Sequence, residues 1–224
     1  MSISASSSPA SSSPSSAASS SATESRPTNG SRSLRWRVVD IVVGAVLGVA
    51  LGLVFFAWNF GGNALGGVLS ALLPGLSGLA GGLWLLGGVV GGLVIRKPGA
   101  ALFVEFVAAL TAALLGSQWG LPSLVSGIVQ GLGAEIVFAC FLYRRWGLTP
   151  ALLAGAAAAV AEWAWEIVYY YPAQTAAFKG IYLVCLTLSG AVLAGFLGWF
   201  LVRRLAATGA LSRFESGRQT HARA

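Results

Sequence analysis

The chain has 224 residues, of which 56% are hydrophobic and 9% charged, with a formal net charge of +7. That balance excludes an ordinary soluble domain, and the basic residues fall at the ends of apolar runs rather than in one patch, which argues against a nucleic-acid surface. Two cysteines, Cys140 and Cys185, sit inside apolar runs without metal-ligand spacing and read as small packing residues.

Residues 1–33 are almost entirely small or polar, so they cannot repay the entropy of ordering and are expected to be a disordered tail. Six apolar runs follow, each near the length needed to cross about 30 Å of hydrocarbon. They are Val38–Trp58, Leu79–Ile95, Ala100–Leu115, Leu124–Tyr143, Pro150–Tyr170 and Ile181–Val202. The expected fold is all-α, a six-helix membrane domain over residues 34–205, followed by a basic tail over 206–224. Between Phe60 and Gly78 the chain is Gly-rich, and its apolar piece Leu65–Leu73 is too short to span. It reads as an outer loop or lid between helices 1 and 2.

Lys and Arg set the orientation. Arg32, Arg35 and Arg37, then Arg96 and Lys97, then Arg144 and Arg145, then Arg203, Arg204, Arg213, Arg218 and Arg223 all fall on one side of a six-span topology, and only Lys179 falls on the other. Both termini are therefore expected in the cytoplasm and the domain in the plasma membrane.

The chemistry concentrates at the end of the fifth run, in Glu162-Trp163-Ala164-Trp165-Glu166 and the tyrosines that follow. A carboxylate inside a spanning helix costs roughly 2.5–3.5 kcal/mol, so such a residue is read first as part of a site. Glu162 and Glu166 share a helical face, with Tyr169 and Tyr170 a turn beyond. Acids beside aromatic faces make a cup for a flat cationic molecule. Trp58, Asn59, Gln118, Trp119 and Tyr170 gather at the same outer mouth, and Trp84 lies in the outer third of the second run. Glu135 shares a face with Gly127 and Gly131, below Gln130, and no basic residue within the membrane is available to pair with it. Glu105 is read as lying nearer the cytoplasmic end, able to snorkel or pair near Arg96 and Lys97. Asp40, three residues after Arg37, is explained by helix-end electrostatics. Gly44, Gly48 and Gly52 form a small-residue stripe suited to close approach of another helix, in this chain or in a partner.

Several chemistries fall away. No phosphate-cradling Gly-x-x-x-x-Gly-Lys-Ser/Thr loop occurs. His221 in the tail is the single histidine and Asp40 the single aspartate, which removes Ser-His and paired-aspartate hydrolysis and His-rich metal sites. Binding and transport remain, with no enzyme activity and no cofactor expected.

Three stretches, Ile95 to Ala101 (IRKPGAA), Gly116 to Gly120 (GSQWG) and Gln130 to Glu135 (QGLGAE), resemble the YkoE family of S components. These are substrate-binding subunits of energy-coupling factor (ECF) transporters for thiamine or its hydroxymethylpyrimidine precursor. The resemblance runs from about Arg37 to Arg204. It implies a six-helix fold with an outward-facing pocket, a transmembrane T component and two cytoplasmic ATPases as partners, and a first-helix stripe that docks on the T component, here Gly44, Gly48 and Gly52. For such a ligand, side-chain chemistry rather than the resemblance makes Glu162 and Glu166 the residues expected to meet its charge or aminopyrimidine, and Trp84, Trp119 and Trp163 those expected to stack on its rings. Gln118, Gln130 and Glu135 are expected to orient it. The alternative is a self-sufficient, proton-coupled secondary transporter of a small cationic or aromatic solute.

Overall fold

The computed structural model describes residues 34–208. The expected disordered tail over 1–33, and the basic tail from residue 209 onward, lie outside the described residues. Within them the secondary structure is helical, with no strand.

Asp40 starts the first helix, α1 (Val38–Leu72), by accepting the Arg37 backbone N–H at 2.7 Å. An acid in the first turn also suits the positive end of the helix dipole. Asp40 does more than the sequence predicts: it is 1% exposed and is paired with Lys97, whose ammonium also donates to the Arg35 carbonyl at 2.6 Å. Trp36 Nε1 donates to the Pro98 carbonyl at 2.8 Å. The Ile95–Ala101 turn therefore ties the start of α1 to the two helices that flank it.

The helices that follow are α2 (Gly78–Ile95), α3 (Ala100–Leu114), α4 (Pro122–Cys140), α5 (Leu148–Tyr169) and α6 (Ala176–Ala207). All but α3 are long and apolar enough to span a membrane, whereas the 15 residues of α3 cover only about 22 Å at 1.5 Å per residue. The final helix runs two residues past the expected boundary at 205.

One expectation is overturned by α1 itself. The Gly-rich stretch read as a loop is the last part of a continuous 35-residue helix, and only residues 73–77 connect it to α2. Where water is scarce, a backbone that leaves the helix strands its N–H and C=O groups, so glycine breaks helices less readily there. At about 52 Å, α1 is longer than the hydrocarbon is thick.

The centre of the bundle is α2, 78% buried. It contains a 3-10 turn, Gly82–Leu85, before resuming as α-helix at Leu86. Arg96 ends it with a left-handed backbone (φ 58°) and its N–H on the Gly92 carbonyl. The Ala-rich run of α5 lets backbones approach: an added Cβ on Gly155 would collide with the Gly190 carbonyl of α6, inside a π-helical segment, Gly190–Phe196. Outward faces carry Val42, Val46, Leu53, Ile136, Val168 and Val192, exposed apolar residues in keeping with a lipid-facing surface.

The Gly44, Gly48 and Gly52 stripe turns inward. A Cβ on Gly48 would lie 2.6 Å from Val107 Cβ, and one on Gly52 would lie 2.5 Å from Thr111 Cβ, so α3 fills the groove. The partner-docking expectation for these residues is corrected to internal packing.

Candidate functional site

At the end of the bundle opposite the arginine-rich turns, the helices splay around a cavity of about 270 Å³. Its walls come from the second half of α1, the start of α2, the middle of α3, the start of α4, the end of α5 and the start of α6. Six chain segments therefore meet where helix ends would otherwise leave a depression.

Three carboxylates line it. Glu162 and Glu166, a turn apart on α5, both face inward as their spacing predicts. Glu162 is 5% exposed, with Ser126 and Gln130 of α4 turned toward it, and its Oε2 has no hydrogen-bond partner among the described residues. Glu166 Oε2 accepts the Tyr182 hydroxyl at 2.6 Å. The third carboxylate, Glu105 of α3, was expected to reach toward the basic end and does not. It is 1% exposed, its Oε2 accepts the Gly88 N–H, and its Oε1 has no partner among the described residues. The 3-10 turn in α2 explains this. An α-helix restarting at Leu86 leaves its first N–H groups without intrahelical acceptors, and Glu105 takes one of them. Gly87 and Gly88 make room, since a Cβ on Gly87 would sit 2.9 Å from Glu105 Oε2.

The flat walls are held by a polar relay. Trp84 Nε1 donates to Asn59 Oδ1 at 3.0 Å, and Asn59 Nδ2 donates to Ser117 Oγ at 2.9 Å. Ser117 Oγ also accepts the Trp119 backbone N–H at 3.4 Å. Buried Asn59 on α1 thus sets Trp84 and the loop that carries Trp119. Tyr170 closes the opposite side with its ring 5.6 Å from Trp119. Burial, then the charges of Glu162 and Glu166, push the Tyr170 phenol up to about 12, so it stays a donor at neutral pH.

Of the residues expected here, Asn59, Trp84, Trp119, Gln130, Glu162, Glu166 and Tyr170 line the cavity. Trp58 stands one layer behind, donating to the Ala80 carbonyl at 3.0 Å and packed edge-on to Trp84. Gln118 is exposed and outside the lining. Trp163 also lies outside it, with its indole N–H on the Lys179 carbonyl at 2.9 Å. Tyr169 turns away to stack on Trp165.

Glu135 belongs to the other end of the bundle. It accepts the backbone N–H groups of Gly99 at 2.6 Å, Ala101 at 2.9 Å and Leu102 at 3.5 Å, and the Tyr143 hydroxyl at 2.8 Å. It caps α3, a structural role. Burial and this bond to Glu135 raise the Tyr143 phenol well above its ordinary value, so it remains the donor.

Sequence reasoning missed Glu105 as a wall, along with Ser126, Tyr182 and the α1 residues Asn63 and Gly66. The adjacent Gly87-Gly88 pair was the available signal for the first. The α1 residues were hidden by reading their stretch as a loop.

Among the described residues, no group of three or more His, Cys, Asp or Glu side chains is placed to hold a metal ion. The arrangement offers carboxylate oxygens between aromatic faces, which is chemistry for holding a small, flat molecule with hydrogen-bond donors or positive charge.

Residues 39–161 match the family model described as "ABC-type cobalt transport system, permease component". The chain is 37% identical over 185 residues to the "Putative HMP/thiamine permease protein YkoE" of Bacillus subtilis (strain 168), covering 82% of this chain and 92% of that protein. It also superposes on a crystal structure of an S-component of an ECF transporter, with a TM-score of 0.78 and 34% identity, over 84% of this chain and 95% of that one.

Proposed function

We propose, for a chain that belongs to the YkoE family of ECF transporter S components, that this cavity captures thiamine or its hydroxymethylpyrimidine precursor for import. The chain is a membrane transport subunit rather than an enzyme. Supporting the ligand reading is one observation above the rest: Glu105 Oε1 and Glu162 Oε2 are buried, have no partner among the described residues, and belong to residues that line the same cavity. Buried polar groups left unbonded cost about 1–3 kcal/mol each, so a ligand that donates to either oxygen gains that much. An aminopyrimidine supplies such donors, and the faces of Trp84 and Trp119 can receive its ring. A thiazolium adds positive charge for Glu162 and Glu166 to balance. At about 270 Å³ the space lies just under the roughly 300–1,000 Å³ usual for drug-sized ligands, which suits one or two small rings.

The family model's description names cobalt. The cavity walls favour the organic cation, because its carboxylates are interleaved with indoles and phenols and the described residues lack a metal-ligand cluster.

Both termini lie in the cytoplasm in this reading, because the turns bearing Arg96, Lys97, Arg144 and Arg145 mark the inner side. The mouth then faces outward. The partners are a transmembrane T component and two cytoplasmic ATPases, whose ATP use turns the loaded subunit and opens the cavity inward.

The test is to identify by mass spectrometry what copurifies with the detergent-solubilised chain, then to titrate thiamine and hydroxymethylpyrimidine into it. Glu162→Gln is expected to weaken binding roughly tenfold or more, the worth of a hydrogen bond to a charged group. Unchanged affinity in that variant would remove Glu162 from the site.

A further inference from the structure

Trp84 is fixed at its indole, whose N–H meets Asn59, yet its backbone belongs to the 3-10 turn of α2, Gly82–Leu85. Such a turn rotates about 120° and rises about 2.0 Å per residue, against about 100° and 1.5 Å in an α-helix. Over four residues the difference accumulates to about 80° of rotation and about 2 Å of rise. Relaxation of the turn to ordinary α-helix would therefore swing Trp84 off its present bearing. Because 3-10 hydrogen bonds are poorer in geometry, this winding in mid-helix calls for an outside cause.

Ser189 of α6 supplies it. Its Oγ accepts the Gly82 N–H at 3.0 Å and donates to the Leu79 carbonyl at 2.6 Å. Those two groups are three residues apart, the donor and acceptor that an i to i+3 bond would join, and the hydroxyl bridges them instead. A side chain inserted into the backbone ladder redirects a helix at that point. A hydroxyl suits the task because it donates and accepts at once. Ser189 is 5% exposed, so bulk water does not compete for either group. The backbones are also close, since a Cβ on Gly82 would run into the Ser189 carbonyl. Directly beyond Ser189, α6 leaves the α-helical path for its π-helical segment, Gly190–Phe196. An overwound and an underwound segment thus meet at this hydroxyl, one turn from Leu186 of the cavity wall, and irregular turns of both kinds favour functional positions.

We propose that Ser189 is a positioning residue for the ligand cavity: by bridging Gly82 and Leu79 it sets the winding of α2 that aims the Trp84 indole at the ligand. The inference rests on the reading of that cavity as the vitamin site. Ser189 stands outside the lining and acts through Trp84, which Asn59 holds by its indole and Ser189 by its backbone.

The full-length chain in detergent is titrated with thiamine and with hydroxymethylpyrimidine, and hydrogen exchange over residues 79–85 is followed without ligand. Ser189→Ala is expected to lose roughly three- to tenfold in affinity, the worth of a hydrogen bond, and to exchange faster over residues 79–85. In a Trp84→Ala background the same substitution is expected to change affinity by less than about twofold, because the indole it aims is gone. Trp36→Phe also loses a structural hydrogen bond, to the Pro98 carbonyl at the other end of the bundle. It is expected to melt lower while keeping parental affinity and parental exchange over residues 79–85. Ser189→Cys keeps a weak donor and acceptor in place and carries the same comparison, with a smaller loss, if the alanine variant does not fold. A Ser189→Ala protein that melts lower but binds as the parent does would overturn the inference and leave Ser189 with the fold alone. An equal loss with and without Trp84 would overturn it as well. A parent that binds neither ligand would remove the vitamin reading instead, and exchange then decides the bridge: unchanged protection over residues 79–85 in Ser189→Ala overturns it.

Discussion

Glu105→Gln separates a ligand-binding role from a structural one by the direction of two measurements. In the parent, Glu105 lines the cavity with one oxygen on the Gly88 N–H and the other buried without a partner among the described residues. The amide of the variant keeps the first contact only if its oxygen faces Gly88. That turns its NH₂ toward the cavity, where an acceptor becomes a donor of nearly the same shape. The unliganded protein therefore loses no hydrogen bond and exchanges one buried unpaired group for another, each costing about 1–3 kcal/mol, so its melting temperature in detergent is expected to stay level. A ligand that donates to that oxygen now meets another donor, and its affinity is expected to fall by roughly 10- to 100-fold, about 1.5–3 kcal/mol. Quenching of Trp84 and Trp119 fluorescence reads binding, and thermal unfolding of the same sample reads stability. If the variant melts lower while binding thiamine and hydroxymethylpyrimidine unchanged, Glu105 serves the fold alone and the argument from unpartnered acceptors fails.

Asn59→Leu breaks the relay from Trp84 to Ser117, and is expected to weaken ligand binding and to cost about 1–3 kcal/mol of stability by stranding buried partners. Isothermal titration beside thermal unfolding checks both. Gly52→Val drives a side chain into Thr111 and the Ala108 carbonyl, so the isolated chain is expected to lose about 1–3 kcal/mol or more; a docking stripe would leave the lone chain's melting point unchanged. Glu135→Ala removes the cap of α3 and is expected to cost about 1–2 kcal/mol with little change in affinity for the folded fraction. Trp163→Phe is expected to leave ligand affinity unaltered, whereas Trp119→Ala lowers it, since only the second indole lines the cavity.

Apolar run length and acid spacing carried the six-helix order and the inward-facing pair Glu162 and Glu166, because both follow from helix geometry alone. Depth and direction across helices did not. Glu135 looked like a cavity residue because its own helix shows only small neighbours; its partner is the N-terminus of α3. That terminus reads Pro98-Gly99-Ala100-Ala101 and has no Ser, Thr, Asp or Asn to cap itself. An uncapped helix start inside apolar surroundings calls for an acceptor from elsewhere, and Glu135 was the available clue. The Gly44, Gly48 and Gly52 stripe was ambiguous for a different reason: a groove of small residues accepts a helix of the same chain as readily as a partner's.

The length of α1 bears most directly on how the cavity is built. Its inner half is packed against α3 through the glycine stripe and is held at its start by Asp40, Lys97 and Trp36. Its outer part gives Asn59, Asn63 and Gly66 to the cavity wall, and Gly67, with nothing within 4 Å of an added Cβ, stands beside the mouth. The same rigid rod therefore runs from the arginine-rich end to the ligand chamber. A loop would have decoupled the two, because each of its residues could relax independently. A continuous helix instead fixes the position of Asn59, Asn63 and Gly66 relative to the contacts at its start, because its backbone hydrogen bonds run unbroken from Val38 to Leu72.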